Sequence, residues 1–513
     1  MRLCTALAVV LVLAAGASQA ARILGIIPTP SISHQTPFRL IGLELARRGH
    51  QVTVITTDPL REKIVNYTEI DVSVTYDFWR ATYDFNSLSD SVPHDMLRLL
   101  PHMGQRICEI QLDSPEMKDF IRSAPTFDVV IVERLMYQCY YGLVHKVGSP
   151  PLIGFVTLTA PGPLHVMQGN PNNPAYCPDM SLPYNDHMSF WERMYNAYIM
   201  GLFLHSWNYV IMADQERIMR KHFGPDAPSV YETERNCSLL LINNHYSMNY
   251  PRPMLPNMIE LTGLHLEKQR RPLPKDIQKF LDGAEDGVIY FSLGSNVKGS
   301  AIPEEKRLAF LEAFAQLPQR VLWKWEAGSM PGQPDNVMTA KWWPQQDVLA
   351  HKNMRLFITQ GGLQSVNEAS YFGVPMIAIP FMGDQKHNVA KIVQAGIGYR
   401  LMFKDVTVES VLKAVRTVLG DKRYQENMRQ FSAVFREHQE TSLDRAVWWV
   451  EYVLRHRGAP HLRSAALDLH WWQLWLLDVI AFVVIVPAAG LYLLFRAARY
   501  VTTTRAALKK KPH

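Results

Sequence analysis

The sequence predicts an α/β protein of two facing parallel-sheet halves, followed by one membrane-crossing helix. Three features carry that expectation. Short Val- and Ile-rich runs alternate with segments of helical periodicity in two separate series, as βα units require. Between the series lies Pro251 to Pro274, where prolines 251, 253, 256, 272 and 274 discourage both helix and central strand. Near the C-terminus the apolar run Leu476 to Phe495 is long enough, at ~1.5 Å per residue, to cross a bilayer core of ~30 Å.

The length agrees with two halves, because a chain of 513 residues exceeds what one core can organise, a limit of roughly 250 to 300 residues. In the first series Arg22 to Ile27 reads as a strand, Pro37 to Arg48 as a helix, and Gln51 to Thr56 as a second strand stopped by Asp58-Pro59. Pro37 suits a first helical turn and Gly49 a position just past the helix end. Phe127 to Val132 and Leu152 to Val156 read as buried strands, and the Pro/Asn-rich Gly169 to Pro178 as loop. The second series places strands at Val288 to Leu293, Val321 to Trp325, Leu356 to Thr359 and Met376 to Ile379. Open parallel sheets bind ligands beyond the carboxyl ends of their strands, so two facing sheets enclose a cleft and the chemistry belongs at strand ends.

The termini specify a compartment. Met1 to Ala20 has Arg2, an apolar stretch and small residues at Ser18 and Ala20, the plan of a cleavable signal peptide. After the apolar run, Arg496, Arg499, Arg505 and Lys509 to Lys511 meet no acidic residue, which sets the tail (496–513) in the cytosol and residues 21–470 in the lumen. Trp471, Trp472 and Trp475 suit an interfacial belt, so the span is taken as 471–495. Lys510-Lys511-Pro512-His513 resembles a dilysine retrieval signal, making the expected location the endoplasmic reticulum membrane, single-pass type I. Losing the leader removes Cys4 and leaves Cys108, Cys139, Cys177 and Cys237, whose three pairings stay open. Asn66-Tyr67-Thr68 and Asn236-Cys237-Ser238 are glycosylation sequons. The net charge of +6 is small for this length and sits partly in the tail, so no nucleic-acid surface is expected. No paired Cys/His metal pattern and no Asp-x-Asp pair occurs, so no metal is expected.

From Trp342 to Gln385 the chain reads W-W-P-Q-Q-D-V-L-A-H, F-I-T-Q-G-G-L-Q-S-V-N-E-A, G-V-P-M-I-A-I-P and G-D-Q. With L-A-R-R-G-H-Q-V-T-V-I-T, G-N-P-N-N-P and F-S-L-G-S elsewhere, this resembles the UDP-glycosyltransferase family, in a style closest to its insect members. The resemblance implies two facing Rossmann-like domains of GT-B type: an acceptor-binding domain at 21–255, a nucleotide-sugar-binding domain at 256–440, and a returning helix and linker at 441–470. It implies a UDP-sugar co-substrate, with glucose favoured, and no further cofactor.

The residue chemistry agrees. Uracil needs a flat partner and amide-like edge contacts, which Trp342 and Gln345 supply, while Trp343 suits the core. A diphosphate wants backbone N–H groups at a helix start, as Gly361-Gly362 offers, with Gln364 and Ser365 following. Glu368, four residues after Gln364 on one face, suits ribose hydroxyls. Ser295, after Gly294 at a strand end, is a second phosphate candidate. Asp384 and Gln385 match the pair that holds sugar hydroxyls. Gln360 stands where many relatives carry His; it can donate to phosphate but carries no charge.

Inverting transfer needs a base for the acceptor hydroxyl. His34, in S-I-S-H after the first strand, matches the family's catalytic histidine, and a nearby helix N-terminus keeps an imidazole neutral. Its carboxylate partner is expected at Glu133, ending F-D-V-V-I-V, where relatives carry Asp, in preference to Asp128 at the other end of that strand. The expected partners are a UDP-sugar, a small lipophilic acceptor and a membrane, with a homo-oligomer left open. Aromatic and Met-rich stretches before Gly169 and from Met188 to Trp207 suit an apolar acceptor pocket, although core packing explains them equally well. The competing readings are a lumenal binding protein that lost turnover and a transferase acting on a lipid.

Overall fold

The computed structural model describes residues 20–82, 89, 91–266, 270–437 and 439–508. The expected leader up to Gln19 and the terminal Lys510-Lys511-Pro512-His513 lie outside them. Thirteen strands are assigned among the described residues: β1 (Arg22–Ile27), β2 (Gln51–Thr56), β3 (Tyr67–Asp71), β4 (Val129–Glu133), β5 (Leu152–Val156), β6 (Leu239–Ile242), β7 (Met258–Glu260), β8 (Val288–Ser292), β9 (Arg320–Lys324), β10 (Val337–Ala340), β11 (Met354–Thr359), β12 (Met376–Ala378) and β13 (Gly398–Arg400). They form two all-parallel sheets, ordered β3-β2-β1-β4-β5-β6-β7 and β10-β9-β8-β11-β12-β13. Helices that matter for the site are α1 (Ile32–Arg47), α2 (Pro93–Asp113), α3 (Phe190–Ser206), α4 (Gln345–Leu349), α5 (Leu363–Phe372), α6 (Gln385–Gln394) and α7 (Ser442–Arg455). The C-terminal apolar helix is α8 (Leu477–Leu508).

Central strands of parallel sheets are covered on both faces, which is why they read as unbroken apolar runs. In β4 all of Val129, Val130, Ile131 and Val132 are buried. The first sheet packs Ile23, Val129 and Ile131 against Phe38, Ile41 and Leu45 of α1, and α7 returns to the same layer with Ala446, Val447, Val450 and Val453. Burying a valine fully is worth about 1.5 kcal/mol or more, so this returning helix is a substantial brace.

Several boundaries differ from the sequence reading. The first helix starts at Ile32 with Ser31 as its N-cap, five residues before Pro37, which lies inside it. His34 therefore belongs to the first turn and not to a loop ahead of the helix. Gly49 takes φ +96° just beyond the helix, as expected. The Pro-rich segment is not all linker: β7, lying past residue 255, pairs with β6 and closes the first sheet at its edge, where no proline interrupts it. Gly169 to Pro178 is irregular, as expected.

Cys108 of α2 and Cys139 form a disulfide, while Cys177 and Cys237 are buried free thiols. Asn66 and Asn236 of the two sequons are exposed. Residues from Arg463 onward form a separate unit. In it Trp471–Leu474 makes its own short helix, so the long helix excludes Trp471 and Trp472 and runs beyond Phe495, with Leu477–Arg505 long and apolar enough to cross a membrane. Arg496 and Arg499 extend it because arginine is itself a good helix former.

Candidate active site

The strand ends of both sheets line a cleft of about 670 Å³. His34, Thr157 and Leu158 come from the first half; Ser295, Trp342, Gln345, Gln360, Gly362, Gln364, Ser365, Glu368, Asp384 and Gln385 come from the second. All the expected site residues except Glu133 and Gly361 line it directly, and these two sit immediately behind it.

Glu133 ends β4 and is buried, and its Oε1 lies 2.5 Å from His34 Nδ1. Its Oε2 accepts from Thr29 Oγ at 2.6 Å and from the Thr29 N–H at 3.3 Å. Thr157 Oγ, just past β5, lies 2.9 Å from the same His34 nitrogen. An ionised carboxylate can only accept, so the ring proton belongs on Nδ1 and Nε2 keeps the lone pair. Asp128 is engaged elsewhere, accepting from the Arg22 N–H at 2.7 Å. The extra methylene of Glu133 over an aspartate is thus accommodated without losing contact with the histidine.

In the second sheet the strand order sets the wall. Trp342 follows β10, Lys324 ends β9, Gly294-Ser295 follows β8, Gln360 follows β11, and Asp384 lies beyond β12. Four strand spacings of about 4.8 Å give a row of about 19 Å. Trp342 is 65% exposed whereas Trp343 is 2% exposed, which separates a ring available for stacking from a core ring. Gly361 has φ +82°, and a Cβ there would fall 2.7 Å from Val389, so only glycine brings the chain into α5 along this path. Gly362 is the N-cap of α5, so the first-turn N–H groups of that helix open at the cleft wall that Gly362, Leu363, Gln364 and Ser365 line.

Polar groups of the cleft bind one another. Gln345 Nε2 donates to Ser365 Oγ at 3.1 Å and to Glu368, while its Oε1 accepts from Tyr290 at 3.0 Å. Glu368 Oε1 also lies 3.3 Å from His265 Nε2. Gln364, which lines the cleft, donates its amide across it to the Ser33 carbonyl, next to His34. Ser31 Oγ donates to Asn296 Oδ1 at 3.2 Å, a second bond between the halves. Gln385 Oε1 accepts from the N–H groups of Phe381 and Met382 at 2.8 and 3.1 Å, leaving its NH₂ for a ligand. Asp384 accepts from Asn388 Nδ2 at 2.9 Å. Burial raises the Asp384 pKa, with Asn388 and His34 pulling it back down, so His34 and Asp384 sense each other. Gln360 Oε1 is buried without a hydrogen-bond partner.

Thr29, Thr157, His265, Tyr290 and Lys324 escaped the sequence reading. Each stands at or just past a strand or in a linker, but nothing in its local pattern marks it. Met188 to Trp207, expected near an acceptor, forms mainly α3, whose Trp191, Met194 and Tyr198 are exposed and do not line the cleft.

Two parallel sheets that face each other with ligand-binding strand ends define a GT-B glycosyltransferase fold. Solved structures share it: a UDP-glucosyltransferase from Polygonum tinctorium superposes with a TM-score of 0.56 at 16% identity, covering 85% of this chain and 99% of that one. The calicheamicin glycosyltransferase CalG4 gives 0.54 at 18%, with the same coverage. The family model of UDP-glucoronosyl and UDP-glucosyl transferase matches residues 23–512. UDP-glycosyltransferase UGT5 of Dactylopius coccus is 38% identical over 483 residues, spanning 92% of this chain and 90% of that protein. Human UDP-glucuronosyltransferase 1A3 is 31% identical over 484 residues, spanning 91% and 89%. The chain belongs to this family of UDP-sugar glycosyltransferases.

Proposed function

We propose that the protein transfers a hexose, glucose in the favoured case, from UDP to a hydroxyl of a small lipophilic acceptor, with inversion at the anomeric carbon. His34 Nε2 takes the acceptor proton as the oxygen attacks, and Glu133 stabilises the imidazolium that forms. Trp342 stacks on uracil, Gln345 and Glu368 hold uridine, and Asp384 with Gln385 holds the sugar hydroxyls. The diphosphate departs toward Ser295, Gln360, Ser365 and the N–H groups of Gly361, Gly362 and the start of α5, so its charge is met by oriented dipoles without a metal. The observation that carries this reading is the His34–Glu133 contact of 2.5 Å on the cleft that Asp384 and Trp342 also line. Two insect relatives are named a UDP-glycosyltransferase and a UDP-glucosyltransferase, which supports glucose as the sugar.

The same reading has residues 21–470 in the lumen of the endoplasmic reticulum and one helix anchoring the chain as a type I protein. The apolar part of α8 up to Phe495, with Arg496, Arg499 and Arg505 in its last turns, supports it. His34→Ala tests the chemistry: transfer from UDP-glucose to a phenol should fall to background while UDP still binds, measured by product mass spectrometry and calorimetry. Undiminished turnover by this variant overturns the proposal.

A further inference from the structure

We propose that Lys324 supplies the positive charge for the donor diphosphate that Gln360 cannot carry. This rests on the donor reading above and extends it to a residue outside the Trp342-to-Gln385 signature. Lys324 ends β9 and is only 7% exposed, yet it lines the cleft between the expected base and phosphate positions. A buried lysine needs partners, and its Nζ has two oxygen partners: the Gly294 carbonyl at 2.7 Å and Glu326 Oε1 at 3.1 Å. Glu326 is in turn held by the Ser300 N–H at 3.1 Å through its other oxygen. The ammonium also lies 5.2 Å from the centre of the Trp342 ring.

An ammonium has three N–H donors, and these two oxygens occupy two of them. The remaining one is available to an anion at Gly294-Ser295. Gly294 has φ +82°, and a Cβ built there would fall 2.4 Å from Gln360 Nε2. The phosphate loop is therefore clasped between the Gln360 amide and the Lys324 ammonium. Glu326 offsets part of the charge, and together with the Gly294 carbonyl and the Trp342 ring it fixes where the ammonium sits. The diphosphate then brings its own negative charge to an ammonium already fixed in position, which favours binding over a mobile surface lysine.

The test compares UDP with uridine, which lacks the phosphates, by calorimetry on the full chain in detergent. In Lys324→Met, UDP affinity should fall about 10- to 100-fold, the range for one hydrogen bond to a charged group. Uridine affinity should change less than about 3-fold, and Lys324→Arg should retain most UDP affinity. Lys324→Gln keeps a donor for Gly294 while removing the charge, and it should show the same selective loss even if the methionine variant folds poorly. Unchanged UDP affinity, or equal losses for UDP and uridine, overturns the proposal while leaving the donor site standing. A wild-type protein that binds neither ligand removes the donor reading and this inference with it.

Discussion

Replacing Glu133 by Gln removes one charge and keeps the shape, yet its expected effect is close to that of deleting the base. The reason is the proton bookkeeping around the carboxylate. One oxygen accepts from the Thr29 N–H and Thr29 Oγ, and the other faces His34 Nδ1 at 2.5 Å. A backbone N–H can only donate, so a glutamine must turn its oxygen to Thr29 and its NH₂ to His34. Nδ1 then has to accept, the ring proton moves to Nε2, and the nitrogen facing the cleft loses its lone pair. Loss of the imidazolium–carboxylate bond alone is worth about 1.5 to 3 kcal/mol, or about 10- to 150-fold. The displaced tautomer also forfeits general-base catalysis, typically about 10² to 10⁴ in rate. The expected kcat is thus about 10³-fold below wild type, with the UDP dissociation constant within about 2-fold, because Glu133 lies behind the histidine and not at the donor wall. Steady-state kinetics with UDP-glucose and a phenol, paired with calorimetry for UDP, measures both. Wild-type kcat in this variant, or a loss confined to donor KM, refutes the orienting role of Glu133.

Adjacent tryptophans should separate binding from stability. Trp342→Ala should weaken UDP about 5- to 100-fold, the scale of one base–aromatic stack, and leave Tm nearly unchanged because the ring is 65% exposed. Trp343→Ala, with its ring 2% exposed, should cost about 3 to 5 kcal/mol of stability in chemical denaturation. Asp384→Asn should abolish sugar transfer and raise Tm at pH 7. Burial lifts the folded-state pKa above its ordinary 3.8, so the charged form penalises folding at neutral pH. That penalty fades as pH falls through the raised value, and the stabilisation should vanish near pH 3.8, which thermal melts at several pH values will show.

The sequence made most of the scaffold readable because parallel strands are buried on both faces and leave long apolar runs. Val129 to Val132 is such a run, and the residues singled out from Trp342 to Gln385 line one cleft, Gly361 excepted. Boundaries set by tertiary contacts were less legible. Pro37 suits a helix start since proline favours a first turn, but the helix begins at Ile32, more than a turn earlier, and the proline is tolerated inside it. β7 hid among prolines because an edge strand of three residues needs little pattern. Thr29, Thr157 and Lys324 had no local signature at all: their positions matter only because β4, β5 and β9 end on the same cleft. Glu133 was legible from its place at a strand end, although its longer side chain departs from the aspartate of relatives.

The cleft's internal bonds bear on how a donor enters. Gln345 is committed to Ser365 and Glu368, Gln364 to the Ser33 carbonyl, and Gln385 to two backbone N–H groups. A nucleotide sugar therefore exchanges existing hydrogen bonds for its own, and an exchange of one neutral bond for another contributes little net free energy. The groups that gain most are those whose partners are incomplete: the exposed Trp342 face, the Gln360 amide and the third donor of Lys324. On the proposed reading, affinity should thus concentrate on base and diphosphate, with Asp384 and Gln385 left to hold the sugar. Gln364 links the two sites: a phosphate that draws its amide away from Ser33 also releases a bond to the residue beside His34. On the proposed reading, donor binding at Gln364 is thereby felt in the first turn of α1, which carries Ser33 and His34.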